Sequence, residues 1–377
     1  MRARGGPPVT TSADDTAPAR GVTGQEAGYR AVETLYHAFL TGLILSTVSR
    51  RRGADAAELV FRTFRRQHLE KFLPGLAKLG LTGLPDAVAC AQYHYLSNHL
   101  GGVRVEYMYE SDRKAWVRYV PPRWIYEGAA ICGIPSEVSR AMLCGWHAHN
   151  GVSLGNPRLG FVCTKQTTDG QPGLEGYYLE HDRDLAPEER LRFAPGEDGP
   201  DFDPARAPRV GGRDWPAARL RKVARNYAMD YVRTILPVLA ETFGEAEARH
   251  LGGVTGRLIG MQYYAETASL LGVEPGGAPG FARYLAAIGQ AQDDRVEWDG
   301  EGDEVVVRQH SWRLVQRVSP LPPSVFDAWN ALWEGALSIH DRHLLLLVTR
   351  RLDHGDPCIE WRLRGLGVPG RAWRGSI

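Results

Sequence analysis

Lysine is almost missing from this 377-residue chain. Of its 45 basic residues only Lys71, Lys78, Lys114, Lys165 and Lys222 are lysines, and the rest are arginine. With the heavy use of Ala, Gly and Pro, that composition suggests a GC-rich bacterial source. An excess of either charge is missing too. A formal net charge of +1 gives no long-range field for a polyanion or an acidic bilayer, so neither nucleic acid nor membrane is expected as a partner. The most apolar runs, LTGLILSTV and HLLLLV, fall short of the roughly 18 residues that a membrane span needs. No apolar stretch follows the arginines of MRARGGPPVTTSADDTAPARG, which argues against a secretory signal; residues 1–24 read as a disordered leader. Cysteine is scarce: Cys90, Cys132, Cys144, Cys163 and Cys358 are odd in number and widely spaced, with no C-x-x-C pair. They read as small buried hydrophobes in a reducing, cytoplasmic compartment.

What is present is an ordinary globular balance, 43% apolar and 24% charged, on a chain longer than one core usually serves. A Pro/Gly/Asp/Arg-rich stretch from Asp182 to Pro216 has no sustained apolar period and divides the chain as a linker or long surface loop. The two sides of it match. VCTKQTTDGQPGLEGYYLEH before it and LVTRRLDHGDPCIEWRLR after it align without a gap, Thr164 on Thr349, Lys165 on Arg350, Gly170 on Gly355, Pro172 on Pro357 and Glu175 on Glu360. Upstream, Arg104-Val105-Glu106 matches Arg295-Val296-Glu297, and GIPSEV is echoed by LPPSVF, in the same order.

Each unit has one grammar. Helical periods cover Glu26 to Thr47, Ala54 to Leu79 and Pro85 to Leu100, answered by Leu220 to Phe243, Glu245 to Leu271 and Gly280 to Gln290. A strand pair follows (Arg104 to Tyr109 and Ala115 to Val120), then a helix from Ser136 to about Trp146. A second pair, Leu159 to Lys165 and Leu174 to Leu179, closes the first unit. The spacing predicts an α+β fold of two tandem repeats, 25–181 and 217–366 with a tail at 367–377. Each repeat would be an antiparallel sheet packed on several helices, the two in a pseudo-twofold arrangement that makes an intramolecular pseudo-dimer.

The helical front, the central R-x-E strand and the closing element Gly355-Asp356-Pro357-Cys358-Ile359-Glu360 resemble the L-2-amino-thiazoline-4-carboxylic acid hydrolase family. More distantly, they are similar to vinyl-reductase-like ligand-binding domains. The first unit departs, with Gln171 and Gly173 where Asp and Cys would stand. The resemblance implies hydrolytic opening of a cyclic amidine C–N bond to a ureido-type product. A non-catalytic small-molecule-binding protein and a natural-product cyclase or tailoring enzyme stay as alternatives.

Polar groups present in only one unit have no duty to the shared fold and are the better functional candidates. GWHAHNG, Gly145 to Gly151, supplies His147, His149 and Asn150 as catalytic candidates, and the second unit has no H-x-H. On a continuous helix His149 shares a face with Val138 and Met142 while His147 points about 200° away. His149 is therefore expected on the pocket side, with Asn150 orienting the substrate. Chelation by both histidines would need extended backbone, and no third ligand can be assigned. No cofactor is expected, and a divalent metal stays open.

Arg104 is a candidate clamp for a substrate carboxylate, against the plainer reading of an ion pair with Glu106. His94 lies in an aromatic helix segment, and Glu175 shares a strand face with Tyr177. These three are expected as substrate contacts, with a structural ion pair or a solvent face, or a general base if partly buried, as the other readings of Glu175. The thiols of Cys144, Cys163 and Cys358 lack a visible activating neighbour, and His340 reads as a helix C-terminal cap.

Overall fold

The computed structural model describes residues 24–120, 124, 131–210 and 215–366. The expected leader, apart from Gly24, and the expected tail lie outside them. Three helices come first, α1 (Gly24–Arg50), α2 (Gly53–Leu79) and α3 (Asp86–Leu100), then the hairpin β1 (Val105–Ser111) and β2 (Lys114–Tyr119). Next stand α4 (Ser136–Gly145), a 3₁₀ turn at His147–His149, the short α5 (Asn150–Leu154) and the strands β3 (Leu159–Lys165) and β4 (Leu174–Glu180). A three-residue β5 (Leu191–Phe193) follows. The second half runs α6 (Ala217–Phe243), α7 (Glu245–Leu270), α8 (Gly277–Ala291), β6 (Val296–Glu301), β7 (Glu304–Gln309), α9 (Pro323–His340), β8 (Leu344–Arg350) and β9 (Ile359–Gly365).

The fold is α+β with two antiparallel-rich sheets, ordered β1-β2-β4-β3-β5 and β6-β7-β9-β8. Helices pack on the inner face of each sheet, and a single apolar core runs through both halves. α1 lies at its centre, against α2, α6, α7 and α8. By length and composition α1 could cross a membrane, and 72% of its most apolar window is buried inside the fold. Its residues are apolar on nearly every side because nearly every side is covered.

In the second half α7 and α9 approach closely along Gly252, Gly256 and Gly260. A Cβ on Gly252 would stand 2.6 Å from Ala328 Cβ, and one on Gly256 2.5 Å from the Ala328 carbonyl oxygen. In the first half, Gly145 plays that part between α4 and α2, where a Cβ would lie 2.6 Å from Phe61 O.

The stretch expected as a linker is built into the first sheet. β5 pairs parallel to β3, Phe161 opposite Leu191, and Ala194 and Phe202 pack on an outer-face cluster of Met108, Trp116, Val162 and Tyr177. Three paired residues and a few buried side chains leave no periodicity to read in the sequence.

Glu175 resolves to an ion pair. Its buried carboxylate accepts from Arg118, from Lys165 Nζ at 3.0 Å, from Thr164 Oγ1 at 3.2 Å and from the Gly199 N–H at 3.2 Å. Burial works to raise this carboxyl, and the donors outweigh it, holding it below the ordinary glutamate range. Glu360 repeats the arrangement with Arg308 at 2.9 Å and Thr349 at 2.7 Å. A depressed carboxylate contributes stability above its unfolded pKa and loses it as pH falls through the folded pKa. Glu175→Gln is therefore expected to lower stability by about 2 kcal/mol at neutral pH. The deficit should shrink on acidification, as chemical denaturation at neutral and acidic pH would report.

Candidate functional site

A cavity of about 480 Å³ lies between α2, α3, the α4 end and α6. Its walls are largely aromatic and aliphatic, with Phe64, Tyr93, Trp146, Tyr227 and Tyr231 among them. Lys71, Lys78, Glu70 and Asp230 add charge to the lining, and Lys71 is bound to Asp230 at 2.7 Å. Tyr227, Asp230 and Tyr231 belong to α6, so the second half completes a cavity whose other polar wall, His94, His147 and Tyr119, comes from the first.

GWHAHNG shapes that wall. Ser136 and Leu159 are three residues further apart than their sequence matches Ser324 and Leu344. α9 runs unbroken through this region, whereas the first half breaks its helix after Gly145. The backbone is neither continuous α-helix nor strand but a 3₁₀ turn, with the His149 N–H on Trp146 O at 3.0 Å. At three residues per turn, His147 and His149 point about 120° apart. His147 turns to the cavity. His149 turns to α2, its Nδ1 2.8 Å from Cys144 O and its ring beside Phe61 and His68. The expectation that His149 faces the pocket is thus reversed, because the tighter turn rotates the following residues. Burial holds His149 below the usual imidazole range. Its neighbour His68 is pushed down to about 3 by burial, and then by Arg65 and His149.

Around His147 the structure assembles a buried polar network. The His147 and His94 rings stack with centroids 4.1 Å apart and planes 12° apart. Tyr178 OH lies 2.7 Å from His147 Nδ1, and Asn150 Nδ2 lies 2.9 Å from Tyr178 OH and 3.3 Å from His94 Nε2. Tyr119 OH lies 3.2 Å from His94 Nδ1. Burial pushes the Tyr178 hydroxyl well above its usual range, so it stays protonated. Two face-to-face imidazoles at this spacing would repel each other if both were cationic.

The other expected residues are elsewhere. Asn150 is fully buried and outside the cavity lining, so it holds Tyr178 and His94 from behind instead of orienting a substrate. Arg104 is exposed, and the acid two residues on, Glu106, is bound by Arg118 across the hairpin at 2.8 Å. Glu175 and Tyr177 sit on the outer sheet face, Tyr177 packed on Trp116, away from the cavity. The helix-facing residue of β4 that joins the site is Tyr178. Strand alternation separates Tyr177 from Tyr178 in the sequence, but it does not say which face the helices cover.

The thiols of Cys90, Cys163 and Cys358 are buried, and burial lifts Cys163 to about 12. His340 is buried between Tyr264 and the Gly277 carbonyl oxygen, 2.9 Å from its Nε2, more than a simple terminal cap. Among the described residues, no three His, Cys, Asp or Glu side chains converge in a set that could hold a metal ion. Compared with known proteins, the chain matches no family model and no curated sequence.

Proposed function

We propose that the cavity is an active site in which His147, backed by His94, moves a proton on a small molecule. The reaction that best fits the sequence resemblance is hydrolytic opening of a cyclic C–N bond. The observation that carries this reading is the polar network on the wall of a largely apolar cavity. Burying two imidazoles, two phenols and an amide is costly unless they are hydrogen-bonded, and three of these groups, His94, His147 and Tyr119, line the cavity. In this reaction water adds across the amidine C=N, one of its hydrogens going to the ring nitrogen; the ring C–N bond then breaks with its electron pair on nitrogen, His147 gives that nitrogen a proton, and the hydroxyl hydrogen released as the carbonyl forms restores the proton to His147. Arg104 lies too far out to serve, so Lys71 and Lys78 are the cations proposed to meet a substrate carboxylate.

We further propose that the chain is a tandem repeat with pseudo-twofold symmetry, one unit active and the other a pseudo-subunit. The common strand order and the paired Thr–Glu–Arg circuits support this. So does the closing turn, where Gln171 caps the Gln166 N–H at 2.7 Å as Asp356 caps that of Arg351 at 2.7 Å. Counted from Glu175 and Glu360, Tyr178 falls on Leu363 and Gly176 on Trp361, which packs with Trp329. The second unit thus has apolar bulk where the first has its polar network.

A non-catalytic binding role is the second reading, favoured by the apolar lining and by a volume suited to a drug-sized ligand. Mass spectrometry of reactions with 2-aminothiazoline-4-carboxylate and larger cyclic amidines separates the readings. Gain of one water supports hydrolysis, an isomeric product indicates a cyclase or related tailoring enzyme, and unchanged bound ligand favours binding alone.

A further inference from the structure

We propose that Asn150 is a positioning residue that locks His94 and His147 into opposite tautomers, so that the neutral His147 ring carries its proton on Nε2. The inference deepens the proposed function and rests on it only for the use to which that proton is put. It follows from one amide nitrogen serving two rings. Asn150 Nδ2 donates to His94 Nε2 and to Tyr178 OH. An accepting Nε2 leaves the neutral His94 ring its proton on Nδ1, where it donates to Tyr119 oxygen. Tyr178, having accepted from Asn150, gives its own hydrogen to His147 Nδ1, so the neutral His147 ring carries its proton on Nε2.

Turning the amide over does not decouple the rings. With Oδ1 in that place, His94 Nε2 and Tyr178 would both donate to it, and His147 Nδ1 would donate to Tyr178. Both tautomers then invert together, and the rings remain opposite. The orientation in the structure makes His147 a proton donor towards the cavity wall it forms, not a base. In the C–N opening proposed above, that is the group that protonates the departing nitrogen.

The test is ring nitrogen NMR on the full chain labelled with ¹⁵N-histidine, at a pH where the rings are neutral, with signals assigned through His94→Gln and His147→Gln. His94 should show a protonated Nδ1 and His147 a protonated Nε2. Asn150→Asp, whose carboxylate only accepts, should make the protonated and unprotonated nitrogens trade places in both rings. Tyr178→Phe removes the donor to His147 alone, so His147 should become a tautomer mixture while His94 keeps its Nδ1 proton. The same tautomer on both wild-type rings, or the inverse pair with His147 protonated on Nδ1, would overturn the proposal. So would unchanged tautomers in a folded Asn150→Asp protein, or, if that variant does not fold, an unchanged His147 in Tyr178→Phe. Because the spectra need no substrate, opposite tautomers without any turnover would retain the lock and reject the hydrolase reading.

Discussion

Turnover is expected to fall by about 10²–10⁴-fold in His147→Gln, the usual range for losing a positioned general acid or base. His149→Gln should stay near the wild type. The contrast is sharp because the two histidines are one residue apart and chemically alike. His147 lines the cavity and is held by Tyr178, while His149 packs between α2 and the Cys144 carbonyl. Glutamine keeps a polar group for the Tyr178 hydroxyl to bond, which limits the folding cost and keeps the comparison kinetic. Steady-state kinetics on whichever cyclic amidine is turned over would read both variants. An equal loss in His149→Gln, or full activity in His147→Gln, would reverse the assignment.

Gly256→Val is expected to destabilise the protein by about 3 kcal/mol or more, beyond an ordinary core substitution. The added Cβ would lie 2.5 Å from the Ala328 carbonyl oxygen and 2.8 Å from Ala331 Cβ. The first is backbone in the middle of α9, which cannot rotate aside as a side chain could, so α7 and α9 must separate. Gly253, three residues earlier on the same helix, is the control: its Cβ would meet only the Arg257 guanidinium, at 3.7 Å. Gly253→Ala should therefore stabilise by roughly 0.5–1 kcal/mol through helix propensity. Thermal or chemical denaturation of the two variants should move the midpoint in opposite directions.

Much of the fold is legible before any coordinate is known, because helix and strand periods are local properties of the chain. The helices expected over Ala54 to Leu79 and Glu245 to Leu271 end within a residue of the observed ones, and the strands of both hairpins fall where alternation puts them. The elements that local periodicity does not reveal depend on distant partners. β5 exists because β3 offers a free edge to three residues of an irregular stretch. The 3₁₀ turn at His147 follows Gly145, where α4 presses on α2 at Phe61 O, a contact across 84 residues of sequence.

The candidate site divides in the same way. The sequence by itself determined the element types, their order, the internal match between halves, and the choice of His94, His147 and Asn150 as groups worth watching. Composition and spacing are enough for that. Only the tertiary structure decided that Tyr178 rather than Tyr177 faces the site, that His147 rather than His149 reaches the cavity, and that Arg104 and Glu175 stay outside it. The reason is physical: periodicity fixes which residues share a face, but which face is buried depends on what packs against it. In this protein that is set by α3 and the helix break over the first sheet, and by α6 arriving from the other half.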